Sequence, residues 1–325
     1  MVQRHVMLVA GARPNFMKIA PIWEAMHAYP ELCACVVHTG QHYDYEMSQV
    51  FFQDLRLPKP DIYLDVGSGT HAVQTARIME RFEKALMEHH PDIVVVVGDV
   101  NSTLACSITA VKLQVPVAHV EAGIRSFDRT MPEEINRVAT DAVSDILFPP
   151  TQFGYDNLIR EGKSPEQIFL VGDVMIDTLL RFLPIAKQRP TLSELGVTPN
   201  GYALMTLHRP HNVDHPAPLE RILNAVEAIQ RDIPIVFPIH PRTVRRLKEF
   251  GLKERLNTMP NVIQLDPIGY LDFINLMAHA RFLLTDSGGI QEETTVLGIP
   301  CLTMRENTER PETIEMGTNT LVGND

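Results

Sequence analysis

Three carboxylates form a set that could do proton chemistry: Asp99 in VVGDVNS and Glu121 in HVEAG, each after a strongly apolar run, and Glu133 in MPEEINR. Acids at the ends of buried strands face clefts more often than open solvent. A partly dry cleft raises a carboxyl's pKa toward the range that general acid and base chemistry uses. Several acids in one cleft suit a reaction that moves protons on two faces of a substrate. Metal binding and helix capping compete with that reading, and Asp99 is a fair cap for a helix starting near Ser102.

Phosphate chemistry has its own candidates. In TDSGGIQEE, residues 285–293, a strand feeds a Ser-Gly-Gly turn and then a helix. Gly288 and Gly289 let backbone N–H groups approach a phosphate, and the helix N-terminus adds partial positive charge. Ser287 can cap the helix or donate to a phosphate oxygen. Glu293 lies about one helical turn further in, within reach of ribose hydroxyls. GARPNFMK places Arg13 and Lys18 just after the first strand. Two cations at that place in an acidic chain point to an anion, with Arg gripping phosphate bidentately and Lys acting as a point charge. Arg310, in RENTERPE, is a third cation. In LHRPHNVDH, His208 ends a strand and points at the ligand, where its proton could offset charge on a leaving phosphate. His240, in FPIHPRT, holds the matching place on the next strand, with a structural hydrogen bond as its other reading. The spacing of His208, His211 and His215 is reminiscent of a metal cluster. Pro210 and Pro216 break any helix that would align them, however, and no cysteine lies nearby in the sequence.

These residues need elements to hold them. Short β-branched runs alternate with amphipathic stretches: HVMLVAG, CACVVHTG, DIVVVVGD, VPVAHVE and DILFPP, then YALMTLH, IPIVFPIH, NVIQLDP, RFLLTDSG, IPCLTM and NTLVG. The alternation predicts βαβ units and parallel sheets covered on both faces. Polar loops follow the strands, and open α/β sheets bind ligands outside strand carboxyl ends. The chain therefore reads as α/β, with two doubly wound Rossmann-like domains, residues 1–171 and 172–325, facing a cleft. A linker is expected over 187–200, where Pro, Gly and polar residues concentrate. The last strand is not followed by the helix that would normally cover it, so the second domain reads as C-terminally truncated.

Composition narrows the function. With 29 basic and 40 acidic residues the net charge is −11, which argues against a nonspecific nucleic-acid or membrane-surface binder. The apolar run Val6 to Ala10 is too short for a signal-peptide core, and Ile93 to Val97 is far below the roughly 18 residues of a membrane span. Cys33, Cys35, Cys106 and Cys301 form no CxxC pair and read as free or buried thiols in a reducing cytoplasm. The sequence has no Walker A, GxGxxG or GxSxG motif, which argues against a P-loop hydrolase, a Rossmann dehydrogenase and an α/β-hydrolase.

Eight ordered blocks resemble the non-hydrolysing UDP-N-acetylglucosamine 2-epimerases: GARPNFMKIAPI, HTGQHYDYEMS, VVVVGDVNSTLA, VAHVEAGIRSFDRTMPEEINR, LHRPHN, PIHPRT, TDSGGIQEE and MRENTERPE. The resemblance implies a two-domain fold like that of the GT-B glycosyltransferases. It implies interconversion of UDP-GlcNAc and UDP-ManNAc, in a homodimer, with neither metal nor nicotinamide cofactor. The implied route eliminates UDP across C1–C2 to give 2-acetamidoglucal, then adds UDP back with C2 protonated on the other face. By resemblance Asp99, Glu121, Glu133 and His208 are catalytic. Arg13, Lys18, Phe273, Ser287, Gly288, Gly289, Glu293 and Arg310 bind the nucleotide, and Gln41, His42, Arg137 and His240 are further candidates. Ile268 stands where many relatives have Gln beside the uracil, so a contact there would use its backbone. After Gln41 and His42 the chain reads YDYEMS rather than the arginine-containing version of many relatives, which implies a weakened second, activating UDP-GlcNAc site. Which carboxylate removes the C2 proton stays open. Alternatives are a 2-epimerase of a UDP-diacetamido-uronic acid, a GT-B-like glycosyltransferase and an inactive nucleotide-sugar binder.

Overall fold

The computed structural model describes residues 3–40, 55 and 57–323. Gln41 and His42, and with them the expected second-site segment, lie outside the described residues. The chain divides into two compact units, Met1–Thr178 and Leu179–Asp325. In the first, β1 (Arg4–Ala10), β2 (Leu32–His38), β3 (Ile62–Tyr63), β4 (Ile93–Val97), β5 (Val117–Val120) and β6 (Ile146–Phe148) form one sheet in the order 3-2-1-4-5-6. In the second, β7 (Ala203–Met205), β8 (Ile235–Pro238), β9 (Val262–Leu265), β10 (Phe282–Thr285), β11 (Cys301–Thr303) and β12 (Asn319–Leu321) lie in the order 12-11-10-7-8-9. Counted from its own first strand, the second sheet repeats the order of the first. The strands pair in parallel, as in β1 with β4 and β7 with β10. Each unit is thus doubly wound, with the strand order reversing between β1 and β4 and between β7 and β10.

The strands form where the sequence is β-branched and apolar. Four of the five residues of Ile93–Val97 are buried, and every residue of Val117–Val120 and Ala203–Met205 is. Continuous burial of this kind follows from helices covering both faces of a parallel sheet. In the first core Met7, Val9, Val94 and Val96 pack with Ile78, Phe82 and Cys106; in the second, Met205, Ile235 and Phe237 pack with Leu219, Leu223 and Leu247. Each expected run carries a strand. The two-residue edge strand β3 is the addition, because PKPDIYLD is polar and too short to show any alternation.

Helix starts follow their sequence signals. Thr70 accepts a hydrogen bond from Val73 N to cap His71–His89, and Thr151 does the same from Gly154 N for Gln152–Arg160. Pro132 opens Pro132–Val143, with Glu133 and Glu134 in its positive first turn. The stretch 187–200 differs from the expected linker. It contains the short helix Thr191–Glu194 and is tied to the helix Tyr270–His279. Thr191 Oγ1 donates to Asp272 Oδ1 at 2.6 Å, and Asn275 Nδ2 donates to Arg189 O at 3.0 Å. Its Pro and Gly residues therefore punctuate a packed turn. Among the described residues, no helix is long and apolar enough to cross a membrane.

Gly123 shows how tightly the loop after β5 is packed. Its φ is +78°, and a Cβ there would lie 2.1 Å from the Gly154 carbonyl oxygen, a backbone atom that cannot move alone. Gly196 has a similar φ of +66° but open space around it. Gly123→Ala should therefore cost about 3 kcal/mol, from overpacking plus left-handed strain, or roughly 5–15 °C in Tm. Gly196→Ala should cost only about 1 kcal/mol. Thermal unfolding of both variants checks the contrast.

Candidate active site

The carboxyl ends of β1, β4 and β5 bring the first group together. The loop after β1 is closed by Asn15, whose Oδ1 accepts from the N–H groups of Gly11 (3.0 Å) and Ala12 (2.9 Å). Its Nδ2 donates to Val97 O at 3.1 Å, which fastens that loop to the end of β4 across the point where strand order reverses. Arg13 opens the helix Arg13–Met26. One turn on, Lys18 Nζ donates to Glu121 Oε2 at 2.6 Å, and the two side chains are only 8% and 5% exposed. The lysine crosses directly over Gly98, where a Cβ would sit 2.7 Å from Nζ. Glycine is needed there for both that approach and a φ of +67°. Glu121 itself has a φ of +69°, a strained conformation for a residue with a side chain and one that concentrates at functional sites.

Asp99 is held from the helix Pro132–Val143. Arg137 Nη1 lies 2.7 Å from Asp99 Oδ2, and Asn136 Nδ2 donates to the Asp99 carbonyl at 2.9 Å. Arg137 is buried while the Asp99 side chain is 32% exposed, so a buried cation fixes a carboxylate that reaches the surface. Asp99 does not cap the next helix: Val100 holds the cap position of Asn101–Lys112, without a side-chain cap. The two glutamates of MPEEINR part company. Glu134 is buried and accepts from Ser126 N, Ser126 Oγ and Phe127 N, each at 3.0 Å. It also pairs with Arg137 at 2.8 Å. Glu133, about 100° around the helix from it, is half-buried.

The second group gathers at the ends of β7 and β10. Asp286 is buried and accepts from His208 N at 2.9 Å, from Arg209 N at 2.8 Å and from Asn212 Nδ2 at 3.3 Å. Its Oδ1 lies 3.0 Å from His208 Nδ1. That contact orients the ring, whose side chain is 35% exposed. Burial pushes the Asp286 carboxyl up. The His208 charge and hydrogen bond, with the Arg209 and His208 N–H groups, outweigh this and hold it below the usual carboxylate range. His240 is exposed, with its ring 5.5 Å from that of His208. Its Nδ1 accepts from Arg242 N at 3.1 Å, capping Pro241–Glu249.

Ser287 is the cap residue of the helix Gly288–Leu297, without a side-chain cap, so its hydroxyl does not serve the helix. A Cβ on Gly288 would fall 2.2 Å from Glu309 Oε1, so the glycine lets that carboxylate lie against the helix start. Gly289 is half-buried in the first turn. Arg310 pairs with Glu309 at 3.0 Å and with Glu292 through Nε. Glu293 is buried, with the Tyr270 hydroxyl donating to it at 3.4 Å. Ile268 is half-buried in the loop after β9, and Phe273 is half-buried in the first turn of Tyr270–His279. Among the described residues, no group of three or more His, Cys, Asp or Glu is arranged to hold a metal ion. The arrangement can present paired carboxylates to a proton donor, and it can offer helix N–H groups, Arg310 and His208 to an anion. Asn15, Glu134 and Asp286 were not singled out in the sequence. Asp286 follows an apolar strand as Asp99 does, so the same rule applies to it.

A family model described as UDP-N-acetylglucosamine 2-epimerase matches residues 24–325. The chain is 46% identical over 324 residues to the UDP-N-acetylglucosamine 2-epimerase of Methanocaldococcus jannaschii, covering 97% of this chain and 87% of the relative. The chain belongs to the UDP-N-acetylglucosamine 2-epimerase family. It is also 45% identical over 322 residues to the UDP-2,3-diacetamido-2,3-dideoxy-D-glucuronate 2-epimerase of Pseudomonas aeruginosa, covering 98% and 88%. Its fold is similar to the crystal structure of the M. jannaschii UDP-GlcNAc 2-epimerase in complex with UDP-GlcNAc and UDP. The TM-score is 0.93 at 44% identity, over 99% of this chain and 89% of that one.

The Asp286 cluster makes a stability prediction for this family member. A carboxyl whose native pKa lies below its unfolded value stabilises the fold above the ordinary range, and that contribution is lost as pH falls through the native value. Asp286→Ala leaves the His208 and Arg209 N–H groups without this acceptor and should cost about 3 kcal/mol at pH 7. The gap to the parent protein should narrow as pH falls below about 4. Denaturant titrations across pH 3–7 check both size and sign.

Proposed function

We propose that this UDP-sugar 2-epimerase interconverts UDP-GlcNAc and UDP-ManNAc by eliminating UDP and adding it back with inversion at C2. The observation that carries the reading is a division of labour between the units. Asp99 and Glu121 are fixed by buried cations at one strand-order reversal. A Ser-Gly-Gly helix start and the Asp286-oriented His208 stand at the other. In this reading the second unit, residues 172–325 in the division proposed from sequence, holds UDP. The N–H groups of Gly288 and Gly289, the Ser287 hydroxyl and Arg310 take the diphosphate. Glu293 takes the ribose, and Phe273 with the Ile268 backbone takes the uracil. The first unit, residues 1–171, supplies Asp99, Glu121 and Glu133 to the sugar, with Arg13 and Lys18 adding positive charge for the phosphates. Arg137 keeps Asp99 in place, and His240 stands beside His208 as a further contact.

The chemistry follows from the acidity of C2–H, which is too low for simple removal and return. One carboxylate takes the C2 proton while the C–H electron pair forms the C1–C2 double bond. The C1–O bond breaks, and its electrons leave on the β-phosphate oxygen. The 2-acetamidoglucal and UDP then recombine, with a second acid delivering a proton to the opposite face of C2. His208 offsets the charge on the departing diphosphate. No water is consumed and atoms balance, as an epimerisation requires. Each positioned acid or base is worth about 10²–10⁴ in rate, and each stabiliser of developing charge about 10²–10³.

The four cysteines are free, which supports a cytoplasmic location; the homodimer comes from the family resemblance. The 45% identity to the P. aeruginosa enzyme supports a second reading, in which the sugar is a diacetamido-uronic acid.

Proton NMR of the protein with UDP-GlcNAc in D₂O tests the proposal. UDP-ManNAc should appear, with deuterium entering C2 of both epimers. Turnover of only the UDP-diacetamido-uronate would favour the second reading. Glu121→Gln and Asp99→Asn should each lower kcat by about 10²–10⁴ while UDP affinity, measured by calorimetry, stays within about threefold.

A further inference from the structure

A buried ion network lies behind the two carboxylate loops, and the proposed reaction makes no direct use of it. His119, in the middle of β5, is 0% exposed. Its Nδ1 lies 2.6 Å from Asp141 Oδ1 and its Nε2 lies 2.9 Å from the carbonyl oxygen of Gly98. A backbone carbonyl can only accept. Asp141 is buried as well, and its other oxygen receives the Gly123 N–H at 2.9 Å and Arg125 Nη2 at 2.7 Å. Burial pushes the Asp141 carboxyl up, but the charge and hydrogen bond of His119, then Arg125 and the Gly123 N–H, hold it below the usual range. The Arg125 guanidinium and the Gly123 N–H, both on the second oxygen, hold Asp141 as a carboxylate, which also only accepts. With acceptors on both sides, each ring nitrogen of His119 must carry a proton. The charges balance: Arg125 also pairs with Glu161 at 2.7 Å, giving two cations and two anions.

The network reaches both functional loops. His119 Nε2–H holds the carbonyl of Gly98, the residue before Asp99. His119 itself lies two residues before Glu121. Asp141 grips Gly123, two residues after Glu121, so the strained backbone of Glu121 is bracketed on both sides. Lys18 Nζ lies against Gly98 where a Cβ would project, so one residue is held by His119 through its carbonyl and packed by the cation that pairs with Glu121.

We propose that His119 is a positioning residue, a doubly protonated ring that fixes the Asp99 and Glu121 loops relative to each other. Its role in turnover rests on the epimerase reading above; its charge state does not. A neutral ring would have to turn a lone pair toward either a carbonyl or a carboxylate, and the loop on that side would lose its tether.

The test pairs spectroscopy with kinetics on the full chain. In the protein labelled with ¹⁵N-histidine, both ring nitrogens of one histidine should show the shifts of protonated nitrogen near pH 7, and those signals should vanish in His119→Gln. That variant should lower kcat by about 10–100-fold, the scale of a misplacement near 1 Å, with KM and UDP affinity within about threefold. Asp141→Asn keeps the ring, removes the anion and should give a neutral His119 with a fall in kcat of the same kind. A neutral His119 in the parent protein overturns the proposal, as does a folded His119→Gln that keeps the parent kcat. If His119→Gln does not fold, the parent spectrum and Asp141→Asn decide. A parent protein inert toward UDP-GlcNAc defeats the substrate reading alone; the ring nitrogens still report, and the kinetic arm moves to the UDP-diacetamido-uronate.

Discussion

In each unit, a polar side chain spans the point where strand order reverses, and the placement of the candidate site depends on those two staples. Asn15 joins the first loop to Val97 at the end of β4. Asp286, after β10, gathers the His208 and Arg209 N–H groups and the His208 ring after β7. Reversal points open a crevice between loops that diverge to opposite faces of the sheet. Backbone groups there have no strand partner, and burying them unpaired is costly. A side chain that satisfies several at once therefore also fixes the spacing of the loops around it.

The two units then use charge differently. The first places Lys18 against Glu121 and Arg137 against Asp99 and Glu134. The second sets Arg305 and Arg310 around Glu309 beside Gly288. Buried ion pairs are poor sources of stability, since desolvation offsets much of their attraction. Their value here is geometric, because a bonded carboxylate cannot swing between rotamers. In a chain of net charge −11, such local cations also make an anion site possible where the overall field repels anions.

The sheets were legible in the sequence because continuous β-branched runs bounded by polar loops have few other solutions in a chain of alternating elements. β3 was not legible, since two residues carry no period. The stretch 187–200 looked like a linker because Pro and Gly mark breaks without saying what packs on them. Within the site, the positions of Asp99, Glu121, His208 and the Ser-Gly-Gly turn were readable from what precedes them. Their partners were not. Lys18 and Glu121 are 103 residues apart and Asp99 and Arg137 are 38 apart, and composition looks the same whether such groups meet or stay solvated. His119 read only as a strand residue, because its chemistry lies in an acceptor on each side of the ring. Ile268 and Phe273 came from family resemblance alone.

The central claim is that C2 inverts because UDP leaves and returns. Positional isotope exchange addresses it most directly. UDP-GlcNAc carrying ¹⁸O in the bridge between C1 and the β-phosphorus is incubated with the enzyme, and recovered nucleotide sugar is examined by ³¹P NMR. Cleavage of the C1–O bond frees the β-phosphate to rotate, so the label should scramble into its non-bridging positions at a rate comparable to epimerisation. Epimerisation with the ¹⁸O retained in the bridge, and with neither UDP nor 2-acetamidoglucal escaping from the enzyme during prolonged turnover, would contradict the account.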